Sequence, residues 1–236
     1  MRIVIPLLLT LLLAAGCQAG QDEIKKNLET RYPGLQVDSV ASSPIKGLYE
    51  VVVQGAHIVY TDANANYLID GMLIDTVSKR NLTQEKVEKL TRVDFNSLPF
   101  SQAIKVVRGN GERRMAVFSD PDCPFCKRLE PELAKLDNVT IYIFPYPLPM
   151  HKGADHKARL VWCSPDPAKA WDDMMLRGKL PQGKDDCPNP IQANIALAEK
   201  LNIQGTPHII LSDGRRIPGL VPYDRLEQLL NQAAAK

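Results

Sequence analysis

The sequence has no excess of charge of either sign. Lysine and arginine number 29 and aspartate and glutamate 27 among 236 residues, so the formal net charge is only +2. The basic residues form no cluster, which argues against a nucleic-acid partner. Repeats, heptad patterns and low-complexity tracts are also missing. At this length we expect one medium globular domain and a small one.

Long apolar runs are equally scarce. The run from Ile3 to Leu13 follows a basic second residue and precedes the small residues Ala14-Ala15-Gly16. It is too short to span a bilayer comfortably. A positive start, a short apolar stretch and small residues are typical of an export signal, so we expect residues 1–19 to form a cleaved signal peptide.

Cysteine is rare, with five residues in the whole chain. The segment Ala-Ala-Gly-Cys17 resembles a bacterial lipoprotein box, which would leave Cys17 as a lipidated N-terminus and anchor. Cleavage after Ala19 would instead discard Cys17. Either route removes it as a free thiol, and four of the five cysteines remain to form pairs. An even number in an exported protein indicates an oxidising compartment.

The most informative motif is Cys123-Pro-Phe-Cys126. It lies between the apolar run 115–118 and a helical pattern of leucines that begins at Leu129. Two cysteines at this spacing, opening a helix after a strand, make a dithiol that can close reversibly into a disulfide. The unpaired N–H groups of a helix N-terminus favour a thiolate at Cys123, and a thiolate is the attacking species in disulfide exchange.

The spacing that a structural zinc site requires is absent. A Cys-x-x-Cys pair is half of such a site, which needs a second closely spaced ligand pair. Cys163 and Cys187 stand far apart, and no His-x-x-x-His spacing accompanies them. Redox chemistry is therefore favoured over metal binding, and we expect neither a metal nor a bound cofactor.

A Cys–His hydrolase is a weaker interpretation of the same cysteine. His151 and His156 lie in the loop after the second predicted strand of the C-terminal domain and are candidates for its base. We disfavour this interpretation because Cys126 would resolve any covalent intermediate formed on Cys123. No partner that would orient either histidine is evident.

The first part of the mature chain is predicted to be one helix against a few strands. The helix is predicted from about Asp22 to Pro33, and the strands at Leu48–Val53, His57–Thr61 and Tyr67–Ile74, arranged as an antiparallel meander. Such a core is small. We therefore expect residues 20–80 to pair with a second copy through a sheet edge, giving a homodimer.

A linker helix is predicted over residues 81–100. The pattern turns helical at Thr83, which is a plausible N-cap residue. The segment up to Phe100 has too few apolar positions for a buried helix. We therefore place a domain boundary in this segment and a second domain at 101–236.

The second domain alternates strands and helices. The predicted order is a strand, the Cys-x-x-Cys helix, a strand at 139–144, a long helical insert, a helix at 191–201, the sequence Gly205-Thr-Pro-His208, two short strands and a final helix. This order predicts an α/β sandwich.

Thr206-Pro207 precedes an apolar strand and resembles the cis-proline loop of the thioredoxin fold. A cis bond at this point turns the chain so that the backbone before it faces the dithiol and can pair with an extended substrate. An ordinary trans turn is the alternative. Pro131 lies inside the Cys-x-x-Cys helix, at an offset from Cys126 that thioredoxin-like active-site helices commonly share.

Several neighbouring residues have two interpretations each. Asp120 and Asp122 flank the active-site turn and could cap it or modulate the Cys123 thiolate. His208, directly after Pro207, could hydrogen-bond or place a charge near the sulfur pair, or be a rim residue without catalytic effect. Trp162 and Trp171 are interpreted as packing residues.

Taken together, the mature chain resembles the bacterial periplasmic thiol:disulfide interchange proteins of the DsbC/DsbG family. The resemblance spans nearly all of it and is carried by Phe118-Ser-Asp-Pro-Asp-Cys123-Pro-Phe-Cys126, Trp162-Cys163, Cys187 and Gly205-Thr206-Pro207. It implies a mixed fold, α+β and α/β. A small cystatin-like helix-plus-antiparallel-sheet dimerisation domain is followed by a linker helix and a thioredoxin-like domain with a helical insert.

The resemblance also implies the function and its residues. Cys123 and Cys126 would form the redox disulfide, with Thr206 and Pro207 completing the catalytic site. The substrates would be misoxidised or unfolded exported proteins in the periplasm, and a DsbD-like membrane thiol reductase would keep the dithiol reduced. A chaperone activity is implied as well.

A second, structural disulfide between Cys163 and Cys187 is implied by position in the family. Closing a loop of that length would stabilise the fold by roughly 3 kcal/mol in the chain-entropy model. Two free buried thiols are the alternative.

One departure from the family concerns the residues between the catalytic cysteines. The family's isomerases usually carry Gly-Tyr there, whereas this chain has Pro124-Phe125. The intervening pair alters thiolate stability and so the reduction potential. The expected function is disulfide isomerisation. A dithiol oxidase that donates disulfides, or a holdase chaperone with incidental redox activity, remain the alternatives.

Overall fold

The computed structural model describes residues 11–235, with side chains from Gly20 onward. The chain divides after Thr91 into an N-terminal and a C-terminal compact unit. The side chains of the predicted signal peptide, residues 1–19, and the fate of Cys17 lie outside the described part. Within that part, no helix has both the length and the apolar character needed to cross a membrane.

The N-terminal unit is a helix packed on an antiparallel meander, which confirms the predicted arrangement. Strands β1 to β4 follow one another in chain order across the sheet, and β5 and β6 form a separate pair. The elements are α1 (Leu11–Arg31), β1 (Val37–Ser42), β2 (Leu48–Val53), β3 (His57–Asp62), β4 (Leu68–Asp70), β5 (Ile74–Asp75), β6 (Arg80–Asn81) and α2 (Leu82–Leu90).

Strand β2 is covered on both faces. Because side chains alternate along a strand, Val51 and Val53 share one face and pack with Ile24 of α1, whereas Val52 belongs to the other face, where Val87 of α2 packs. This explains why the strand is a continuous apolar run in the sequence. It also shows that this small unit builds two buried clusters of its own.

The N-terminal unit differs from the sequence prediction in three places. Helix α1 begins at Leu11 rather than near Asp22, and strand β1 was not predicted. The predicted strand Tyr67–Ile74 is interrupted, because only Leu68–Asp70 pairs with β3, whereas Ile74 pairs with Asn81. The apolar residues on the two sides of Asp70-Gly71 therefore belong to two strands.

Thr83 is not the N-cap that the sequence suggested. The side chain of Asn81 fills that role and accepts a hydrogen bond from the backbone N–H of Gln84 at 2.9 Å. The Thr83 hydroxyl is buried and bonds to the Tyr60 hydroxyl and to the N–H of Leu73. Helix α2 covers only Leu82–Leu90 of the segment predicted as a linker helix.

The C-terminal unit is built on a five-stranded sheet with the strand order β11-β10-β8-β9-β7. Strands β8 and β9 are parallel and the other pairs antiparallel. The elements are β7 (Ile104–Arg108), β8 (Arg113–Ser119), α3 (Pro124–Ala134), β9 (Val139–Pro145), α4 (Ala154–Trp162), α5 (Pro167–Arg177), α6 (Ile191–Lys200), β10 (His208–Leu211), β11 (Arg216–Pro218) and α7 (Tyr223–Ala234).

Helices cover both faces of this sheet, which confirms the predicted α/β sandwich. Met115 and Val117 of β8 pack in one cluster with residues of α3, α5 and α7. Ala116 and Phe118 point to the other face and pack in a second cluster with residues of α6. The central strand β8 is therefore rigidly held, and the loop that follows Ser119 starts from a fixed point.

Candidate active site

The two cysteines lie at the start of α3, directly after the loop that leaves β8. Cys123 is the N-cap residue of the helix, and Pro124 occupies the first helical position, where its missing N–H is no loss. Cys123 is 4% exposed and Cys126 is fully buried. The two are free thiols in this structure, so it represents the reduced form.

The loop containing Thr206 and Pro207 lies against the dithiol. The Thr206–Pro207 peptide bond is cis, as the sequence suggested. The Cys123 thiol donates to the Thr206 carbonyl, with 3.3 Å between sulfur and oxygen. Residues that are 83 positions apart in the chain are thereby brought to one point.

Cys126 is held as a thiol by its surroundings. Burial raises the pKa of Cys126 to about 12, and the charge of a Cys123 thiolate would add to that rise. The hydroxyls of Ser119 and Thr206 and the Asp120 N–H, 3.4 Å from the sulfur, oppose it only in part. Cys126 is therefore protonated at neutral pH. Ser119 was not singled out from the sequence, since nothing in a serine at a strand end signals a sulfur contact.

Asp120 ties the active-site loop together. Its carboxylate is fully buried. One oxygen accepts from the N–H groups of Asp122 and Cys123, at 2.7 and 3.2 Å. The other accepts from the N–H of Leu148 at 2.6 Å and lies 2.8 Å from Nδ1 of His151. The capping role considered for Asp120 is thus visible in the structure, with His151 as an added partner.

Asp122 faces two lysines. The ammonium of Lys157 lies 2.6 and 2.8 Å from its two oxygens, and that of Lys127 lies at 3.4 Å. Partial burial favours a higher pKa for Asp122, but the hydrogen bond and charge of Lys157, followed by those of Lys127, hold that pKa below its usual value. Asp122 is therefore a charged residue directly beside Cys123. Lys157 was not singled out from the sequence, because only the fold brings α4 to this loop.

His208 does not supply a positive charge to the sulfurs. It is buried at the start of β10, and its Nε2 accepts from Nε of Arg216 at 3.1 Å. Burial, and then the charge of Arg216, lower the pKa of His208 to about 4. Of the interpretations that the sequence left open, charging of His208 at neutral pH is therefore wrong.

Beside the cis peptide bond lies an open groove of about 440 Å³. Pro207 and His208 line it, together with Pro218 and Gly219. The Gly219 N–H donates to the Pro207 carbonyl at 2.8 Å and so closes one end of the loop. Phe125 is 53% exposed next to the dithiol, with the guanidinium of Arg128 lying 5.8 Å from its ring centre.

The helical insert carries the second cysteine pair. Cys163, at the end of α4, is joined by a disulfide to Cys187, with 5.8 Å between their Cα atoms. Trp171 of α5 is fully buried and donates to the Glu130 carboxyl at 2.7 Å, so it packs inside the core. His156 lies away from the dithiol loop and pairs with Asp185 at 2.8 Å.

Comparison with known proteins gives the same division of the chain. Residues 15–84 match the disulfide bond isomerase protein N-terminal domain, and residues 100–234 match a thioredoxin-like domain. The chain is 40% identical over 209 residues to the probable thiol:disulfide interchange protein DsbC of Bordetella parapertussis, covering 89% of this chain and 74% of that protein.

Two further relatives extend the comparison. DsbC of Escherichia coli is 24% identical over 232 residues, which cover 96% of this chain and 94% of that protein. A crystal structure of a disulfide interchange protein from Neisseria gonorrhoeae superposes with a TM-score of 0.56 at 45% identity, covering 58% of this chain and 99% of that one.

Proposed function

Because the chain belongs to the DsbC family of thiol:disulfide interchange proteins and is a thiol-disulfide oxidoreductase, we propose that it isomerises non-native disulfides in exported proteins. Its site would be Cys123 and Cys126 with the Thr206–Pro207 loop. The observation that carries this proposal is the different position of the two cysteines. Cys123 is the N-cap residue of α3 and contacts the Thr206 carbonyl, whereas Cys126 lies inside the helix and is fully enclosed, which raises its pKa.

The reaction begins with the Cys123 thiolate. It attacks one sulfur of a substrate disulfide, forms a mixed disulfide and releases the other substrate sulfur as a thiolate. The freed thiolate attacks another disulfide of the substrate and releases a new thiolate. This thiolate, or another one already present in the substrate, attacks the substrate sulfur bonded to Cys123, so that a rearranged disulfide forms and Cys123 leaves as the thiolate. No electrons are gained or lost over this cycle, so no cofactor is consumed.

Resolution by Cys126 is the competing step. Cys126 would attack Cys123 in the mixed disulfide, release a reduced substrate and leave the enzyme oxidised. Since burial keeps Cys126 protonated, this step is slow, and the substrate's own thiols have time to rearrange. Whenever this step occurs, two electrons are needed to reduce the Cys123–Cys126 disulfide again. We propose that a DsbD-like membrane thiol reductase supplies these electrons in the periplasm.

The groove beside Pro207 fits an extended segment of substrate. Backbone pairing along the loop before the cis proline would hold the segment without reading its side chains. The exposed ring of Phe125, between the two cysteines in the chain, offers a further apolar contact. Misoxidised or unfolded exported proteins therefore suit this site better than a single folded partner.

A homodimer is supported by the match to the DsbC N-terminal domain. We propose that it forms through β4, which lies at one edge of its sheet. The apolar side chains within this strand and on either side of it are unusually exposed, Tyr67 at 74%, Ile69 at 52% and Met72 at 70%. A second copy added to this edge would pair the backbone and cover them.

Refolding of a scrambled multi-disulfide protein tests the proposed function. The purified reduced protein, with a thiol buffer, should restore native activity to the scrambled substrate, and Cys123→Ser should abolish this gain. An oxidase would form disulfides in a reduced substrate but correct a scrambled one poorly. A holdase would suppress aggregation equally well with and without Cys123. Either of these patterns, without isomerisation, would contradict the proposal.

A further inference from the structure

Two aspartates flank the loop that presents the attacking sulfur, and the helical insert supplies a partner to each. Asp120 is paired with His151, in the turn before α4, and Asp122 is paired with Lys157, within α4. The two partners lie only six positions apart in the sequence. One short stretch of the insert therefore contacts both acidic groups of the active-site loop.

The Asp120–His151 contact fixes the backbone of Cys123. The buried carboxylate holds the Cys123 N–H with one oxygen, and His151 engages the other at 2.8 Å. A buried carboxylate needs hydrogen-bond donors on both oxygens to remain in place. His151 thus helps to keep the Asp120 carboxylate in place, and this carboxylate accepts the hydrogen bond from the backbone N–H of Cys123.

The Asp122–Lys157 contact neutralises the negative charge of the Asp122 carboxylate. Asp122 directly precedes Cys123 in the chain, and in general a negative charge near a thiol disfavours the thiolate. Lys157 contacts both carboxylate oxygens, at 2.6 and 2.8 Å, whereas Lys127 contacts one at 3.4 Å. Lys157 is the closer counter-charge, and its side chain is only 35% exposed, which limits screening by solvent.

We propose that Lys157 and His151 are positioning residues through which the helical insert sets the reactivity of Cys123. Lys157 neutralises Asp122 and so permits the thiolate, and His151 fixes Asp120 and so the Cys123 backbone. The proposal rests on the proposed function in that Cys123 is taken as the attacking thiol. It gives the insert a role in the chemistry beyond packing against the sheet.

A double-mutant cycle tests the charge part of this proposal. The rate of Cys123 alkylation by iodoacetamide is measured from about pH 4 to about pH 9, the range in which protein thiols ionise. The proteins are the full wild-type chain, Lys157→Met, Asp122→Asn and the double variant. Peptide mass analysis assigns the label to Cys123 rather than Cys126.

Lys157→Met should slow alkylation at mildly acidic pH by roughly threefold to tenfold, because the Asp122 carboxylate is then no longer neutralised and less Cys123 is present as thiolate. A tenfold change in the thiolate fraction corresponds to one pKa unit. In the Asp122→Asn background the same substitution should change the rate by less than about twofold, because no carboxylate remains to be neutralised. Lys152→Met, an exposed lysine of the same insert, is the matched control and should leave the rate unchanged. Unchanged alkylation in Lys157→Met, or equal slowing in both backgrounds, would overturn the charge part.

The His151 part has its own pair of variants. His151→Asn keeps an N–H donor near the position of Nδ1, whereas His151→Leu removes it. His151→Leu should slow alkylation at fixed pH, and His151→Asn should restore most of the wild-type rate. If the two variants are slowed equally at similar melting temperatures, or if neither is slowed, His151 does not act in this way.

The alkylation experiments and the test of the proposed function can fail independently of each other. Alkylation is measured without a protein substrate, so a protein that fails to isomerise but shows the predicted coupling would contradict only the proposed function. Full isomerisation with no coupling between Lys157 and Asp122 would contradict only the role of the insert.

Discussion

At the level of single residues, two chemically identical thiols have different surroundings. Cys126 is enclosed in the core, where the loss of hydration raises its pKa to about 12. Cys123 is the N-cap residue of α3 and contacts Thr206, one of the residues that line the groove. The sequence motif specifies the pair and their order on the helix. The difference depends on the burial of Cys126 and on the contact of Cys123 with the Thr206 carbonyl, and only the fold creates these surroundings.

Glu130 offers a test of the same burial effect on a carboxyl group. Burial raises its pKa to about 7, the Asp172 charge adds to the rise, and the Trp171 hydrogen bond opposes it. The folded protein therefore binds this proton more tightly than the unfolded chain. This tighter proton binding stabilises the folded protein by about 3 kcal/mol. The stabilisation is complete below about pH 4.5, the pKa of Glu130 in the unfolded chain, and is lost as pH rises through about 7.

Glu130→Gln keeps an oxygen for Trp171 and removes the titration. Between about pH 5 and about pH 8, the free energy of unfolding of the wild type should fall relative to that of the variant by about 2 kcal/mol. Urea unfolding at the two pH values measures this difference. Glu199→Gln, at an exposed position of α6, is the control and should follow the wild type. A constant difference between Glu130→Gln and the wild type would contradict the prediction.

His208 should behave in the opposite sense. Since burial and Arg216 depress its pKa to about 4, the folded protein holds its proton less tightly than the unfolded chain, and the associated stability is lost as pH falls from about 6.5 through about 4. NMR of the His208 ring should show a titration midpoint near 4. A midpoint near 6.5, the ordinary value for histidine, would contradict this prediction, because the ring would then be charged in mildly acidic conditions.

At the level of elements, the insert disulfide ties the end of α4 to the segment that leads into α6. Its cysteines are 24 positions apart, and the bond should stabilise the fold by roughly 3 kcal/mol through the unfolded chain. The double variant Cys163→Ser, Cys187→Ser should therefore unfold at lower urea concentration. The alkylation rate of Cys123 should remain within about twofold of the wild type, a difference of less than about half a kcal/mol. The reason is that the insert contacts the active-site loop through His151 and Lys157 and not through these two cysteines. An unchanged urea midpoint would contradict this assignment.

The elements also show what sequence patterns can and cannot give. Strand β2 was predicted with its observed bounds, because a run of valines between turns has few alternatives. The segment at 67–74 was predicted as one strand but is divided, since pairing partners, and not local pattern, decide where a strand ends. Thr83 has the chemistry of a cap, yet Asn81 caps the helix and the threonine is buried.

For the whole molecule, the order of elements was sufficient to predict a helix on an antiparallel meander, followed by an α/β sandwich. The parallel pair β8 and β9, joined through the helix that carries the dithiol, follows from the strand–helix–strand order. The contacts of His151 and Lys157 with the active-site loop could not be predicted in this way. They join parts of the chain that lie 31 and 35 positions apart, with α3 and β9 between them.

The proposed dimer is tested by a charge placed on the edge strand. Ile69→Lys should convert the protein to a monomer, since a lysine facing the partner strand resists edge pairing. Sedimentation at micromolar concentration measures the change. Val107→Lys is the matched control, because this valine is 52% exposed on β7, the edge strand of the other sheet. A dimer that survives Ile69→Lys, or a wild type that is already monomeric, would exclude the β4 interface.

The central claim is that Cys123 attacks and Cys126 resolves, and trapping the mixed disulfide tests it most directly. Each single variant, Cys126→Ser and Cys123→Ser, is mixed with a scrambled substrate and quenched with acid, and the covalent products are mapped by mass spectrometry. The account predicts that Cys126→Ser accumulates substrate linked through Cys123, while Cys123→Ser accumulates none through the buried Cys126. Accumulation on Cys126 in the Cys123→Ser variant, with none on Cys123 in the other, would contradict it.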